Sequence, residues 1–295
     1  MKKIPVILDT DIGGDIDDTW ALAMMLKCPE LDVKLVVSDT RDTPYRAKLI
    51  AKLLEVAGRT DLPVGIGIRQ SSEGGPQAPW LAGYDLADYP GTVHADGVQA
   101  IIDTIMSAPE PLTLICIGPM PNIKAALARE PKIADRTRFV GMHGCVGWSP
   151  WGEQKQIAEY NVVEDIPASQ AVFSAPWDIT ITPLDTCGLV VLDGPCYQRV
   201  LKARQKLPRA VIENYRAWAK VQQSYDPALR SSVLFDTVAI YLAFAHDLLN
   251  LVDLKIVVDG KGFMQQRDDG KLMHVALTWN DLAGFKDFLV ARLLA

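Results

Sequence analysis

No stretch of the 295-residue chain approaches the ~18 consecutive apolar residues of a membrane-spanning helix, so no contact with a membrane is expected. Met1-Lys2-Lys3 has the charged start of a secretion signal, yet the apolar stretch behind it ends at Asp9, too short for an h-region. Lysine and arginine form no run and the net charge is −6, which argues against a nucleic-acid surface. The five cysteines are scattered, odd in number and without a Cys-x-x-Cys pair, so neither a disulfide framework nor a zinc site is expected. These features point to the cytoplasm. No Ser/His/Asp or Cys/His arrangement is readable either.

What the chain does have is carboxylate. Five aspartates fall within ten residues, Asp9, Asp11, Asp15, Asp17 and Asp18, directly behind the apolar run Ile4-Pro5-Val6-Ile7-Leu8. That run reads as a buried strand, and Gly13 and Gly14 let the chain turn sharply as it leaves. So many acids on one turn repel each other unless a cation or hydrogen-bond donors compensate. Hard oxygen ligands in this number suit Ca²⁺ or Mg²⁺ over zinc or copper.

The remainder reads as strands alternating with helices. Helices are expected at 18–28, 45–57, 97–106, 123–128, 168–173 and 281–294, with others dominating 197–247. Strands are expected at 33–38, 64–67, 112–117, 139–142, 179–182, 255–258 and 274–277, and long loops at 68–92 and 143–152. This pattern predicts one α/β domain over residues 1–295: an open, mainly parallel, Rossmann-like sheet with helices on both faces and a helical cap from the second half. In such sheets ligands bind beyond the carboxyl ends of the strands, where the aspartate loop, residues 38–40, 117–119 and 142–144 all fall.

An EF-hand is excluded, because Trp20 stands where its loop needs glutamate. A phosphatase of the haloacid-dehalogenase type would place an Asp-x-Asp after the first strand, but it leaves Asp17-Asp18 unexplained. The segment from Asp9 to Leu22 instead resembles the opening motif of the inosine-uridine-preferring nucleoside hydrolases, Asp-x-Asp-x-Gly-x-Asp-Asp-x-x-Ala-Leu, with two extra residues between the glycine and the paired aspartates. Gly118-Pro119-Met120-Pro121-Asn122-Ile123, Met142-His143-Gly144, Ala158-Glu159-Tyr160-Asn161 and Phe235-Asp236-Thr237-Val238 resemble later landmarks of that family, in the family order.

The resemblance implies Ca²⁺-dependent hydrolysis of the N-glycosidic bond of a ribonucleoside or related ribosyl compound. It implies Asp11, Asp18, Asp236 and the carbonyl of Ile117 as metal ligands, with Asp11 also the base that activates water. Asp17 would bind the ribose hydroxyls and assist catalysis. Glu159 and Asn161 would hold the sugar, with Asp39, Thr40, Met142, Glu153 and Asp236 as further substrate contacts. A homodimer or homotetramer is implied as well.

Three positions depart from the family pattern. Asp39-Thr40 replaces a Gly-Asn pair, Glu153 replaces a sugar-binding asparagine, and Phe235 replaces a histidine that some members use to protonate a purine. Glu153 is therefore expected to favour a donor at the sugar 5′ position and to disfavour a phosphate. His94 is a candidate leaving-group acid or a helix cap, and His143 is a loop residue and a candidate for lining the pocket. Trp80, Trp148, Trp151 and Tyr225 are candidates for stacking on a base or for packing. Asp185 is expected to bind backbone donors. A ribosyl-binding protein without turnover is the competing function, favoured by the departures at Asp39-Thr40 and Phe235.

Overall fold

The computed structural model describes residues 2–150, 152–223 and 225–295; Trp151 lies outside them. In chain order the elements are β1 (Ile4–Thr10), α1 (Asp17–Met25), β2 (Leu31–Ser38), α2 (Thr43–Val56), β3 (Val64–Ile66), β4 (Val93–His94), α3 (Gly97–Ser107), β5 (Leu112–Cys116), α4 (Pro121–Arg129) and β6 (Thr137–Met142). There follow α5 (Tyr160–Val163), α6 (Ile166–Ser174), β7 (Ile179–Thr182), α7 (Leu184–Cys187), α8 (Gly194–Leu201), α9 (Lys206–Ala219), α10 (Thr237–Leu242), β8 (Leu249–Val258), β9 (Met264–Gln266), β10 (Lys271–Trp279) and α11 (Leu282–Leu294).

The strands form one sheet in the order β4-β3-β2-β1-β5-β6-β7-β10-β8-β9. The eight strands from β4 to β10 in that order run parallel, and β8 and β9 add an antiparallel end. Because successive side chains alternate between faces, each central strand feeds two cores. Val6, Leu8, Val36, Ile115 and Val140 pack with α1, α2 and α8 to α11 on one face. Ile7, Leu35, Val37, Leu114 and Phe139 pack with α3, α4 and α6 on the other. Helix α1 is buried along its whole length, as expected of a helix apolar on most sides. The expected cap helices α8 and α9 lie in the first of these layers, and the segment after α9 reaches the cavity described below through Gln222.

The structure adds elements that the sequence pattern did not reveal. Strand β4 has two residues, and β8 begins six residues before the expected strand. Half-exposed strands at or next to a sheet edge carry polar side chains on one face, so their apolar signal is weak. The loop after β3 also contains short 3₁₀ turns at Ala78–Leu81 and Leu86–Asp88. Among the described residues no helix is long and apolar enough to cross a membrane.

The strand order reverses at β1 and β5: later strands add outward from β1 through β2 on one side and outward from β5 through β6 on the other. This is the switch point at which an open α/β sheet leaves a crevice beyond its strand ends. The aspartate loop leaves β1 there.

Candidate active site

A cavity of about 560 Å³ opens at this crevice. The end of β1 supplies Asp11, the start of α1 Asp17 and Asp18, the end of β5 Ile117, the end of β6 Met142, and the start of α10 Phe235 and Asp236. The loop between β1 and α1 is shaped by Gly13, whose φ of 108° and position against Tyr45 leave no room for a side chain; a Cβ there would lie 2.7 Å from Tyr45 Cε1. The two-residue insertion is braced from distant elements. Trp218 Nε1 donates to the Gly14 carbonyl (3.0 Å), and Gln77 Nε2 to that of Asp15 (2.6 Å). Gln77 is itself held by Asn214 of α9 (2.7 Å). Asp15 is exposed at the rim.

Asp17, Asp18 and Asp236 converge on the floor: one carboxylate oxygen from each lies within 4.8 Å of the others, and all three residues are buried. Burial, then repulsion from neighbouring carboxylates (Asp15 on Asp17, Asp11 on Asp18, Asp17 on Asp236), pushes all three carboxyls well above the usual carboxylate range. Asp17 and Asp236 stand within hydrogen-bonding reach of each other, and Thr10 Oγ1 donates to Asp18 Oδ1 (2.5 Å). These three residues could hold a cation. The structure differs here from the expected ligand set in one respect. Asp17 joins the converging group, while Asp11 turns aside toward Arg46, with Asp11 Oδ2 3.2 Å from Arg46 Nη1. Asp18 and Asp236 belong to both sets. Burial raises Asp11 and the Arg46 and Arg41 charges oppose that rise.

One side of the cavity is built around Glu159 and Asn161. Glu159 caps α5 and accepts from the backbone N–H groups of Gly144 (2.9 Å), Asn161 (2.7 Å) and Val162 (3.3 Å). Burial lifts its carboxyl to about 7, against the pull of those three donors. Asn161 Nδ2 donates to the carbonyls of Met142 (3.0 Å) and Ile117 (3.3 Å). The side wall carries Tyr160, Ile157, Pro150, Leu184, Pro76 and Phe235.

Several expected residues lie elsewhere. Asp39 and Thr40 are fully buried and do not line the cavity. The chain turns through left-handed conformations at Thr40 (φ 53°) and Arg41 (φ 48°), which carries Arg41 into the cavity wall in their place. Glu153 is exposed and outside the cavity, so the 5′ preference expected of it has no geometric basis. Its replacement of an asparagine falls on a loop that here points to solvent. His94 is exposed on β4, three strands from β1, and is likewise outside the cavity. It is not the helix cap either, because Asp96 accepts from Gln99 N at the start of α3. His143 is buried, with Nε2 3.0 Å from the Gly118 carbonyl and Phe139 and Phe173 around the ring. Burial depresses its pKa to about 3, so it is a neutral packing residue.

Of the aromatic candidates, Trp80 lies under the Lys52 ammonium (4.7 Å), Tyr225 packs on Trp218 (5.1 Å), and Trp148 is 48% exposed; none of the three lines the cavity. Asp185 does bind backbone donors. It accepts from the N–H groups of Val146 (2.8 Å), Gly147 (2.7 Å) and Trp148 (2.9 Å), anchoring the loop that brings Pro150 to the cavity.

Sequence reasoning missed Arg41, Arg46, Tyr160 and Gln222. Arg46 had a readable signal: it falls one turn before Leu49 and Ile50 on the inward stripe of α2, where a charge has no place unless it meets a partner.

Fold and cavity together define an α/β protein with an acid-floored ligand pocket at the switch point of its sheet. The family model for the inosine-uridine preferring nucleoside hydrolases matches residues 6–286, and the chain belongs to that family of N-ribosyl hydrolases. It is 30% identical over 228 residues to the non-specific ribonucleoside hydrolase RihC of Klebsiella pneumoniae, covering 73% of each chain. It is 28% identical over 239 residues to the inosine-uridine preferring nucleoside hydrolase of Crithidia fasciculata, covering 76% of this chain and 73% of that protein. Among solved structures the plant nucleoside hydrolase PpNRh1 shares the fold with a TM-score of 0.83 at 22% identity, over 100% of both chains.

Proposed function

We propose that the chain hydrolyses the N-glycosidic bond of a ribonucleoside or related N-ribosyl compound, giving free base and ribose, with Ca²⁺ held on the acidic floor. The observation that carries this reading is the convergence of Asp17, Asp18 and Asp236 at the base of a sugar-sized cavity, with Asp11 at its edge. The donors fit the ion. They are buried oxygens only, with no histidine or cysteine among them, and three buried carboxylates this close need positive charge to remain ionised together. Asp18, Asp236 and the Ile117 carbonyl would hold the cation, with Asp11 and Asp17 offering further carboxylate oxygens to it. Once bound, it would anchor the sugar diol and lower the pKa of a water at the floor.

The roles of the chain's own groups follow from their places. Asp11 accepts the proton of the attacking water, and Asp17 accepts hydrogen bonds from the ribose hydroxyls. Glu159 has its oxygens committed to three backbone donors, so it moves no proton, and in its ionised form it places negative charge near the cationic sugar of the transition state. Tyr160 and Phe235 offer apolar faces to the base. No histidine lines the cavity among the described residues, so the departing base takes its proton from water or leaves without one. A cytoplasmic location and a homodimer or homotetramer complete the proposal. The first is supported by cysteines that are all unpaired, and the second by family membership.

Ribose release from a panel of purine and pyrimidine nucleosides, with Asp11→Ala as control, tests the reading. Release by the native chain and its loss in the variant are the expected results. Ribose binding without release from any nucleoside would overturn it in favour of a binding protein.

A further inference from the structure

We infer that Arg46 is a positioning residue of this site: its guanidinium fixes the Asp11 carboxylate and presents the sugar with a hydrogen-bond donor on the β2 side of the cavity. The kinetic part of this inference rests on the hydrolase reading. Arg46 sits in the first turns of α2, and its side chain is 4% exposed. A guanidinium is kept at such burial only against carboxylate or other acceptors. Its Nη1 lies 3.2 Å from Asp11 Oδ2, but makes no hydrogen bond of good geometry and is sealed from bulk water. Nη2 lies alongside Gly14, 3.6 Å from where a Cβ would stand. The group thus bridges Asp11 and the inserted turn while facing the cavity.

Behind it, Asp39 has both carboxylate oxygens buried without a hydrogen-bond partner, and the Arg46 charge acts on that group too. Asp39 and Thr40 are closed off beneath the wall, so neither can reach a substrate; the donors on this side are Arg41 and Arg46. Of the two, Arg41 is half-exposed and engaged with Glu164 (3.5 Å) and the Tyr160 ring (5.9 Å). Arg46 is fixed and lines the cavity, and it carries a donor, Nη2, that is not sealed off as Nη1 is. A sugar hydroxyl oxygen is the acceptor this donor fits. Arginine stays charged at all working pH values, so it acts through geometry and charge without transferring a proton.

The test uses the full chain with Arg46→Met and Arg46→Lys, measuring kcat and KM for ribose release, Ca²⁺ affinity by calorimetry and the urea midpoint. A misplaced Asp11 predicts a kcat lower by about 100-fold in Arg46→Met, and loss of the sugar contact predicts a KM about tenfold higher. Arg46→Lys restores KM in part but not kcat, because an ammonium keeps a donor and loses the planar fork. Ca²⁺ affinity is retained or tightened in Arg46→Met, since a nearby positive charge has gone. Native kcat and KM in both variants would overturn the inference. So would a parallel loss of Ca²⁺ binding and urea midpoint in both, which marks a brace for the fold alone. If the native chain releases no ribose, the hydrolase reading fails separately, and ribose affinity still decides the role of Arg46: about tenfold weaker binding by Arg46→Met supports it, and equal binding overturns it.

Discussion

Replacing Asn122 by leucine removes a polar clamp without leaving a large void, and the structure sets the size of the effect. Asn122 is fully buried at the start of α4. Its Nδ2 donates to Asp9 Oδ1 (2.9 Å) and to the Ser38 carbonyl (3.1 Å), and its Oδ1 accepts from Ile68 N (2.9 Å). One side chain thus joins the ends of β1 and β2 to the loop after β3. Two neutral bonds at about 1 kcal/mol each and one to a carboxylate at about 1.5–3 kcal/mol give a loss of roughly 3.5–5 kcal/mol. With a urea m-value of about 3 kcal/mol/M the midpoint falls by roughly 1.2–1.7 M.

The loss depends on pH with a definite sign. Burial raises Asp9 to about 7, with Asn122 and Cys116 pulling it down. A carboxyl whose folded pKa is raised adds stability that is complete below its unfolded value and is lost as pH rises through 7. At pH 5 the Asp9 carboxyl is therefore protonated in the folded chain and needs Asn122 less; at pH 8 it is ionised and needs it more. Urea unfolding of the native chain and Asn122→Leu at both pH values is expected to show the larger difference at pH 8. A midpoint shift under about 0.3 M at both, or a larger shift at pH 5, would refute the clamp.

Three further perturbations follow from the same geometry. Gly118→Ala would place a Cβ 2.8 Å from Asp11 Cβ and 3.0 Å from Asp11 N, so kcat is expected to fall more than about tenfold while overpacking costs about 1–3 kcal/mol; unchanged kcat contradicts this. Asp185→Ala frees three backbone N–H groups of the loop before Pro150 and is expected to cost up to about 3 kcal/mol. Hydrogen exchange at residues 146–148 should accelerate and KM rise more than kcat falls, and unaltered exchange would refute the anchor. The pKa of His274 is raised, first by its hydrogen bond to Asp253 (2.6 Å) and also by Asp178 (3.1 Å). That stabilisation is present below the ordinary histidine pKa and is lost as pH rises through the raised one. Native chain minus His274→Gln should then show a small stability advantage at pH 6 that vanishes by pH 9, and an advantage that grows with pH would refute the pairing.

The central strands were legible because each is buried on both faces and framed by turn residues, and β7 matches its expected bounds. The site was legible as far as backbone landmarks carry it: the loops after β1, β5 and β6 and the start of α10 do meet around one cavity. Side-chain direction was not. Which carboxylates converge depends on Arg46, 35 positions after Asp11 along the chain, and on a loop braced by Trp218 and Gln77. Glu153 and His94 occupy suggestive positions in the sequence, yet a loop that points outward and an edge strand take them away from the cavity. The first part of β8 and the short β9 were hidden by their half-exposed, mixed polarity.

The most direct test of the account is ribose release from a nucleoside panel as free Ca²⁺ is varied, starting from chain exhaustively treated with a chelator. Release that is abolished by the chelator and restored by Ca²⁺ is the predicted result, because the proposed function needs a hard cation on the floor where Asp17, Asp18 and Asp236 converge. Release at an undiminished rate in excess chelator would contradict it.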